Sequence, residues 1–353
     1  MSKLIDVTFV TCPQMKGIAG RIRDALKPCY LETGQEIPLV IIEYTQFPSG
    51  EFRPKIPMTV RKTDVVFFHS FHPDPNTEFV KMLLSMQALR LGSPKTINPV
   101  FPFMAMQRQD RKDEPRVPIS AKLIWQCMEA VGGKKFDQTI TLDMHSEQQQ
   151  GYAEDSVDNF PGHRILGKYL REHFADVLPE MVIVAPDGGS TPRTERFIGH
   201  LHQKTGIELK FGQIRKQRPG LGMSPQIKDY TGAPLKGKSV LLPDDLIDTS
   251  DTTIKGANYL VEHEGAKEVF IFGTHAVFSA KKDANGVLVT AEEKLSQSGH
   301  RIFVTNSIPR EDEYYKKHAS WLTMIPIEPV MIKIIPQALI SGGSVSGVEQ
   351  ERE

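Results

Sequence analysis

The sequence predicts an α/β fold in which mostly parallel sheets are flanked by helices. Three observations lead there. Short β-branched or aromatic runs alternate with segments of helical periodicity, the pattern of strand–helix–strand units. Several of those runs end in polar residues, and in parallel sheets ligands gather at the carboxyl ends of strands. Finally, 353 residues suit two domains better than one.

The elements follow in order. "DVTFV" reads as a strand and "GIAGRIRDAL" as the helix after it. "LVIIEY" and "DVVFFHS" are strands, and "TEFVKMLLSMQALRLG" is a helix that stops near Gly92. "KTINPVFPF" is a strand, and "SAKLIWQCMEAVGG" a helix closed by glycine. "FDQTITLDMHS", "MVIVAPDGG", "KSVLLPDD" and "EVFIFGTHAVFS" are strands running into polar loops. A faint internal echo of strand, acidic loop, helix, glycine and strand links the segments starting at Asp64 and Lys238. It is either a duplicated domain or the common grammar of α/β units. The polar, turn-rich "EDSVDNFPGH" marks a boundary, giving domains 1–160 and 161–340 and a flexible tail 341–353.

Composition narrows the function. Lysine plus arginine and aspartate plus glutamate each number 43, so the formal charge is zero, which argues against nucleic acid as partner. Cys12, Cys29 and Cys127 form neither a disulfide framework nor a zinc pattern, which fits a reducing cytoplasm. No apolar run is long enough to span a bilayer, and the N-terminus has no secretory-signal pattern.

The chemistry concentrates in "SVLLPDDLIDTSDTT", where Asp244, Asp245, Asp248 and Asp251 crowd the passage from strand to helix. Ser239 to Leu242 supply the strand. Ile254, Ala257, Leu260 and Val261 give the next helix its apolar face. A helix N-terminus offers free N–H groups to phosphate, and Thr249, Ser250, Thr252 and Thr253 add hydroxyls. Carboxylates beside a phosphate need a reason, such as a sugar diol or a metal ion. The alternative is an acidic turn with capping threonines.

These residues resemble the phosphoribosyl-pyrophosphate (PRPP) motif, and the chain as a whole resembles the ribose-phosphate pyrophosphokinases. "FPSGEFRPKI", "RQDRKDEPRVPISAKL", "TLDMHSEQQQGYAEDSVDN", "APDGGSTPRTER", "IRKQRP", "GTHAVFS" and "VTNSIP" match that family in order, over about residues 40–345. The resemblance implies two phosphoribosyltransferase-type domains, assembled as hexamers or other dimer-based homo-oligomers. It implies transfer of the diphosphoryl group of ATP to the C1 hydroxyl of ribose 5-phosphate, with Mg2+, giving PRPP and AMP.

Carried over by position, Phe47, Ser49, Glu51, Arg108, Gln109 and His145 bind ATP, the Phe47 segment serving a neighbouring subunit. His145 and Asp187 serve the metal. Histidine is an unusual magnesium ligand, so a water-mediated contact is easier to accept. Asp244 and Asp245 hold the ribose hydroxyls, and Asp248 through Thr253 hold the 5-phosphate. Lys216 and Arg218 lie on the catalytic loop, where two cations can neutralise the transferring group.

The chain departs from the family at Ser250-Asp251, where small residues and glycine are usual. Ser250 keeps its N–H and gains a donor. A carboxylate aimed at phosphate would cost on the order of 1 kcal/mol at about 4 Å, so Asp251 is expected to turn away and cap the helix. Pro243, Pro192, Glu195 and the segment "AKKDANGVLVTAEEKL" also depart. Two rival readings follow: a non-catalytic regulatory relative, favoured by Asp251, and a PRPP-consuming phosphoribosyltransferase, disfavoured by the ATP segments.

Overall fold

A computed structural model describes residues 6–30, 36–217, 226–283 and 285–339. The tail 341–353 and Arg218 lie outside the described residues. The chain divides into two compact units, residues 1–160 with 327–353, and 161–326.

In the first unit, β1 (Val7–Thr11) leads into helix α1 (Lys16–Tyr30) and then β2 (Leu39–Ile41). β3 (Glu43–Gln46) and β4 (Phe52–Lys55) form an antiparallel hairpin outside the main sheet. The single strand expected at "LVIIEY" is thus two, because only its first half is half-buried against β1 and its polar second half turns into the hairpin. β5 (Asp64–Phe68), α2 (Pro75–Leu91), β6 (Thr96–Phe101), α3 (Ser120–Gly132), β7 (Thr139–Leu142) and β8 (Val157–Phe160) complete the unit. Its sheet has the order β2-β1-β5-β6-β7-β8, with every pair parallel.

Local chemistry fixes the helix ends. Asp74 caps α2, its carboxylate accepting from the N–H groups of Asn76 and Thr77, and Pro75 occupies the first turn, where its missing donor is not needed. The strands are apolar on both faces because helices cover both, and the core holds Phe67, Phe101, Trp125 and Met86. The Phe67 and Phe101 rings meet edge to face at 5.8 Å.

The second unit opens with α4 (Gly162–His173), β9 (Val182–Ala185) and α5 (Thr191–Thr205). β10 (Lys210–Gln217) and β11 (Gln226–Gly232) follow, then β12 (Ser239–Ile247), α6 (Asp251–Glu262) and β13 (Glu268–Ala276). A short ribbon, β14 (Lys281–Lys282) with β15 (Leu288–Val289), precedes α7 (Ala291–Gln297). β16 (Arg301–Thr305), α8 (Asp312–Lys317) and β17 (Leu322–Ile325) finish it. The sheet order is β11-β10-β9-β12-β13-β16-β17, parallel except for the β10–β11 edge. The α/β class with mostly parallel sheets is therefore what the molecule adopts.

The last helix, α9 (Glu328–Leu339), groups with the first unit rather than the second. It packs on α1, and Arg21 bonds Glu328 at 2.7 Å. The second compact unit ends at Pro326, whereas the sequence reading carries the second domain to residue 340. A sequence pattern shows that a helix is apolar on one face but not which sheet that face will meet. Among the described residues, no helix is long and apolar enough to cross a membrane.

Candidate active site

β12 is the axis of the site in the second unit. It runs to Ile247, five residues beyond the expected end at Leu242, so Asp244 and Asp245 lie within the strand and not after it. Pairing with β13 extends that far: Asp244 faces Gly273 and Leu246 faces His275. Gly273 permits this, since a Cβ there would lie 2.5 Å from Ile247 Cγ1. Pro243 is tolerated because pairing with β9 stops at Leu241, leaving one neighbour where a donor is missing.

Both carboxylates meet a cation that sequence reasoning passed over. Arg193, in the first turn of α5, approaches Asp245 at 2.9 Å and Asp244 at 3.9 Å. Asp245 is buried, whereas Asp244 is partly exposed and is the more accessible of the two. Withdrawal from water and the adjacent Asp245 charge push the Asp244 carboxyl well above the usual carboxylate range, with Arg193 offsetting part of the rise. A basic residue in the turn after "APDGGS" was the available signal.

Asp248, Thr249 and Ser250 join β12 to α6. Ser250 is left-handed at φ 62°, a conformation that suits glycine better. Its hydroxyl donates to the Thr249 carbonyl at 2.7 Å and is buried, so the donor expected for a ligand is turned inward. The helix bonds begin with the Ile254 N–H on the Ser250 carbonyl at 2.9 Å. The first-turn N–H groups of Asp251, Thr252 and Thr253 have no intrahelical acceptor by construction. Asp251 is the first helical residue, not the cap. Its carboxylate turns to Lys294 at 2.7 Å and Lys281 at 3.2 Å. Partial burial would raise its pKa, but the two ammonium groups hold it below the usual value.

At the end of β9, Asp187 accepts from the Ser190 N–H at 3.0 Å and the Ser190 hydroxyl at 2.8 Å. Lys216, on β10 beside it, reaches its other oxygen at 3.4 Å. Burial pushes the Asp187 pKa up, but Lys216 and Ser190 outweigh it and the carboxyl stays ionised below its usual range.

In the first unit, Arg108 and Gln109 sit on the loop after β6, and His145 on the loop after β7. Three residues tie these loops together. Gln107 accepts from the His145 N–H at 3.0 Å, Gln149 donates to the Gln107 carbonyl at 2.7 Å, and the Tyr152 hydroxyl bonds the Asp110 carbonyl. Arg108 and His145 remain exposed above this buried brace. Phe47, Ser49 and Glu51 form the tip of the β3–β4 hairpin. Ser49 donates to Glu51 at 2.6 Å, and Arg53 stands 5.8 Å over the Phe47 ring, which is 42% exposed.

Among the described residues, no three His, Cys, Asp or Glu side chains gather as a metal cage. Magnesium does not require one: it takes one or two carboxylates and completes its shell with water and phosphate oxygens. Asp187, an ionised oxygen donor at a strand end, fits that demand. His145, a nitrogen donor, does not fit as a direct ligand.

Two mostly parallel sheets with charged residues at the carboxyl ends of their strands place the molecule among the α/β proteins that bind ligands at those ends. Comparison with known proteins makes the class specific. A family profile described as the N-terminal domain of ribose phosphate pyrophosphokinase matches residues 7–132. The ribose-phosphate pyrophosphokinase of Mycobacterium leprae is 32% identical over 304 residues, 86% of each chain. That of Clostridium tetani is 37% identical over 243 residues, 69% of this chain and 72% of its own. The crystal structure of phosphoribosylpyrophosphate synthetase from Mycobacterium smegmatis superposes with a TM-score of 0.76 at 29% identity, covering 94% of this chain and 98% of that one. The chain belongs to the ribose-phosphate pyrophosphokinase family of enzymes.

Proposed function

We propose that the protein transfers the diphosphoryl group of ATP to the C1 hydroxyl of ribose 5-phosphate, giving PRPP and AMP. The observation that carries this reading is the junction of β12 and α6. There a helix N-terminus, whose first-turn N–H groups have no intrahelical acceptor, follows the strand that carries Asp244, a carboxyl group able to bond a sugar hydroxyl. The loop Asp248 to Thr253 receives the 5-phosphate. Arg193 holds Asp245 and sets the spacing of the acid pair that faces the ribose.

Arg108 and Gln109 bind the ATP phosphates, the planar guanidinium donating two bonds at once. Phe47 stacks on adenine, contributed from a neighbouring copy in a homo-oligomer. Asp187 would hold magnesium in the second unit, and His145 is a candidate for a water-mediated contact to metal that accompanies the ATP phosphates. When bound, the metal supplies positive charge that neutralises phosphate oxygens. The ribose C1 oxygen bonds to the β-phosphorus as the bond from that phosphorus to the α,β-bridging oxygen breaks. The bridging oxygen leaves with AMP, and the hydroxyl proton passes to solvent. Little covalent chemistry falls to the protein, so Lys216 acts by placing charge beside the moving group. Asp251 is the main support for a purely regulatory role, and its pairing with Lys281 and Lys294 weakens that support. A cytoplasmic enzyme acting on small phosphorylated substrates, without nucleic acid or membrane, completes the proposal.

The test mixes purified protein with ATP, ribose 5-phosphate and magnesium and follows phosphorus NMR. PRPP and AMP should appear in equal amounts. No turnover at any magnesium concentration would overturn the assignment.

A further inference from the structure

We propose that Lys294 is a positioning residue for the 5-phosphate: by neutralising Asp251 and holding the Thr249 carbonyl, it lets a carboxylate stand at the mouth of a phosphate loop. The inference rests on the reading of residues 248–253 as the phosphate cradle.

Asp251 is the first residue of α6, so its side chain shares the helix N-terminal field that an incoming phosphate would use. Left alone, it would compete for that field and repel the dianion. Lys294 sits 2.7 Å from Asp251 Oδ1 and 3.4 Å from the Thr249 carbonyl oxygen. One ammonium thus touches the carboxylate and the backbone on both sides of the strained Ser250.

The lysine is held rigidly. α7 opens with a reciprocal cap: the Glu293 N–H bonds the Thr290 hydroxyl at 3.2 Å, and the Thr290 N–H bonds the Glu293 carboxylate at 2.8 Å. Ala291 and Leu295 bury the inner face of the helix, and the Tyr314 hydroxyl donates to Glu292 at 2.9 Å. The Lys294 side chain is only 21% exposed, against 57% for Lys281, so Lys294 has less freedom to lose when it forms the pair. With both lysines the cluster carries one negative and two positive charges, a net of +1 beside the loop. Lys281 and Lys294, not the surrounding segment, are thereby the electrostatic counterparts of Asp251.

The experiment measures ribose 5-phosphate binding to the full chain by calorimetry, with thermal melting to monitor folding. Lys294→Met should weaken binding about tenfold, while the KM for ATP changes less than about threefold. Lys294→Arg should keep wild-type affinity. Adding Asp251→Asn to Lys294→Met should restore affinity to within about threefold of wild type, because the repelling charge is gone. A purely structural lysine predicts a lower melting temperature without that rescue. Unchanged affinity in Lys294→Met, or loss with no rescue by Asp251→Asn, overturns the inference alone. A wild-type protein that binds no ribose 5-phosphate overturns the reading of the loop, and the inference with it.

Discussion

The Lys294 ammonium lies 2.7 Å from the Asp251 carboxylate, and with Lys281 it offsets an acidic residue at the mouth of the proposed phosphate loop. Asp251→Gly should therefore preserve or tighten ribose 5-phosphate binding, because two lysines remain with no carboxylate to offset. The pair is partly solvated, so its loss should cost about 1 kcal/mol of stability or less. Calorimetric titration checks the first outcome. A large loss of affinity would mean that the carboxylate has a role of its own.

Lys216→Ala should lower turnover far more than ATP affinity. The residue touches Asp187 at 3.4 Å and would act on charge that develops during transfer. Loss of one transition-state donor elsewhere costs about 10²–10³ in kcat, and a similar fall is expected here. Steady-state kinetics with nucleotide binding measured separately gives the split. An unchanged rate would remove Lys216 from the mechanism.

Arg193→Met should destabilise the second unit by about 3 kcal/mol, since it removes a guanidinium 2.9 Å from the buried Asp245 carboxylate, which lies next to Asp244. Adding Asp245→Asn should recover part of that loss by removing the charge that the guanidinium offsets. Urea unfolding of the three proteins tests this. Equal stability of wild type and Arg193→Met would show that water already satisfies the pair.

Much of this was legible in the sequence, for physical reasons. Central strands such as β5 and β13 are covered on both faces and so appear as unbroken apolar runs. The turn proposed as the phosphate loop stands out in the sequence because strand, acids, hydroxyls and apolar helix face occur in one continuous stretch. The rest depended on distance along the chain. Lys294 lies 43 residues from Asp251, and Arg193 lies on a different strand–helix unit from the acids it holds. β8 was read as a polar boundary because it is an edge strand whose side chains are mostly half-exposed. β12 overran its expected end because the pairing strand, not the local propensity of Pro243-Asp244-Asp245, decides where it stops. The same blindness hid Gln107, Gln149 and Tyr152, whose value lies in joining two loops.

Stability should fall as pH drops from about 7 towards 5, through histidines that fold in the neutral form. His69 is fully buried just past the end of β5, its Nε2 2.9 Å from the Glu78 carbonyl, which requires that nitrogen to carry the proton. Burial lowers its pKa to about 3, and the nearby Lys81 ammonium pushes the same way against the Glu78 carbonyl bond. His163, in the second unit, is lowered to about 3 by burial and by His200 and neighbouring arginines. The unfolded chain protonates both near pH 6.5, while the folded protein resists down to about 3. Between those values the unfolded state binds more protons, so the stabilisation is complete above about 6.5 and is lost as pH falls. The slope approaches roughly 1.4 kcal/mol per pH unit for each histidine once the unfolded form is charged. Urea midpoints at pH 7.5, 6 and 5 should decline, by less than two histidines alone would give because the raised Asp244 carboxyl holds its proton in the folded state and works in the opposite sense, and His69→Gln should flatten the decline. A constant midpoint across that range would mean that the folded protein takes up the same protons as the unfolded chain.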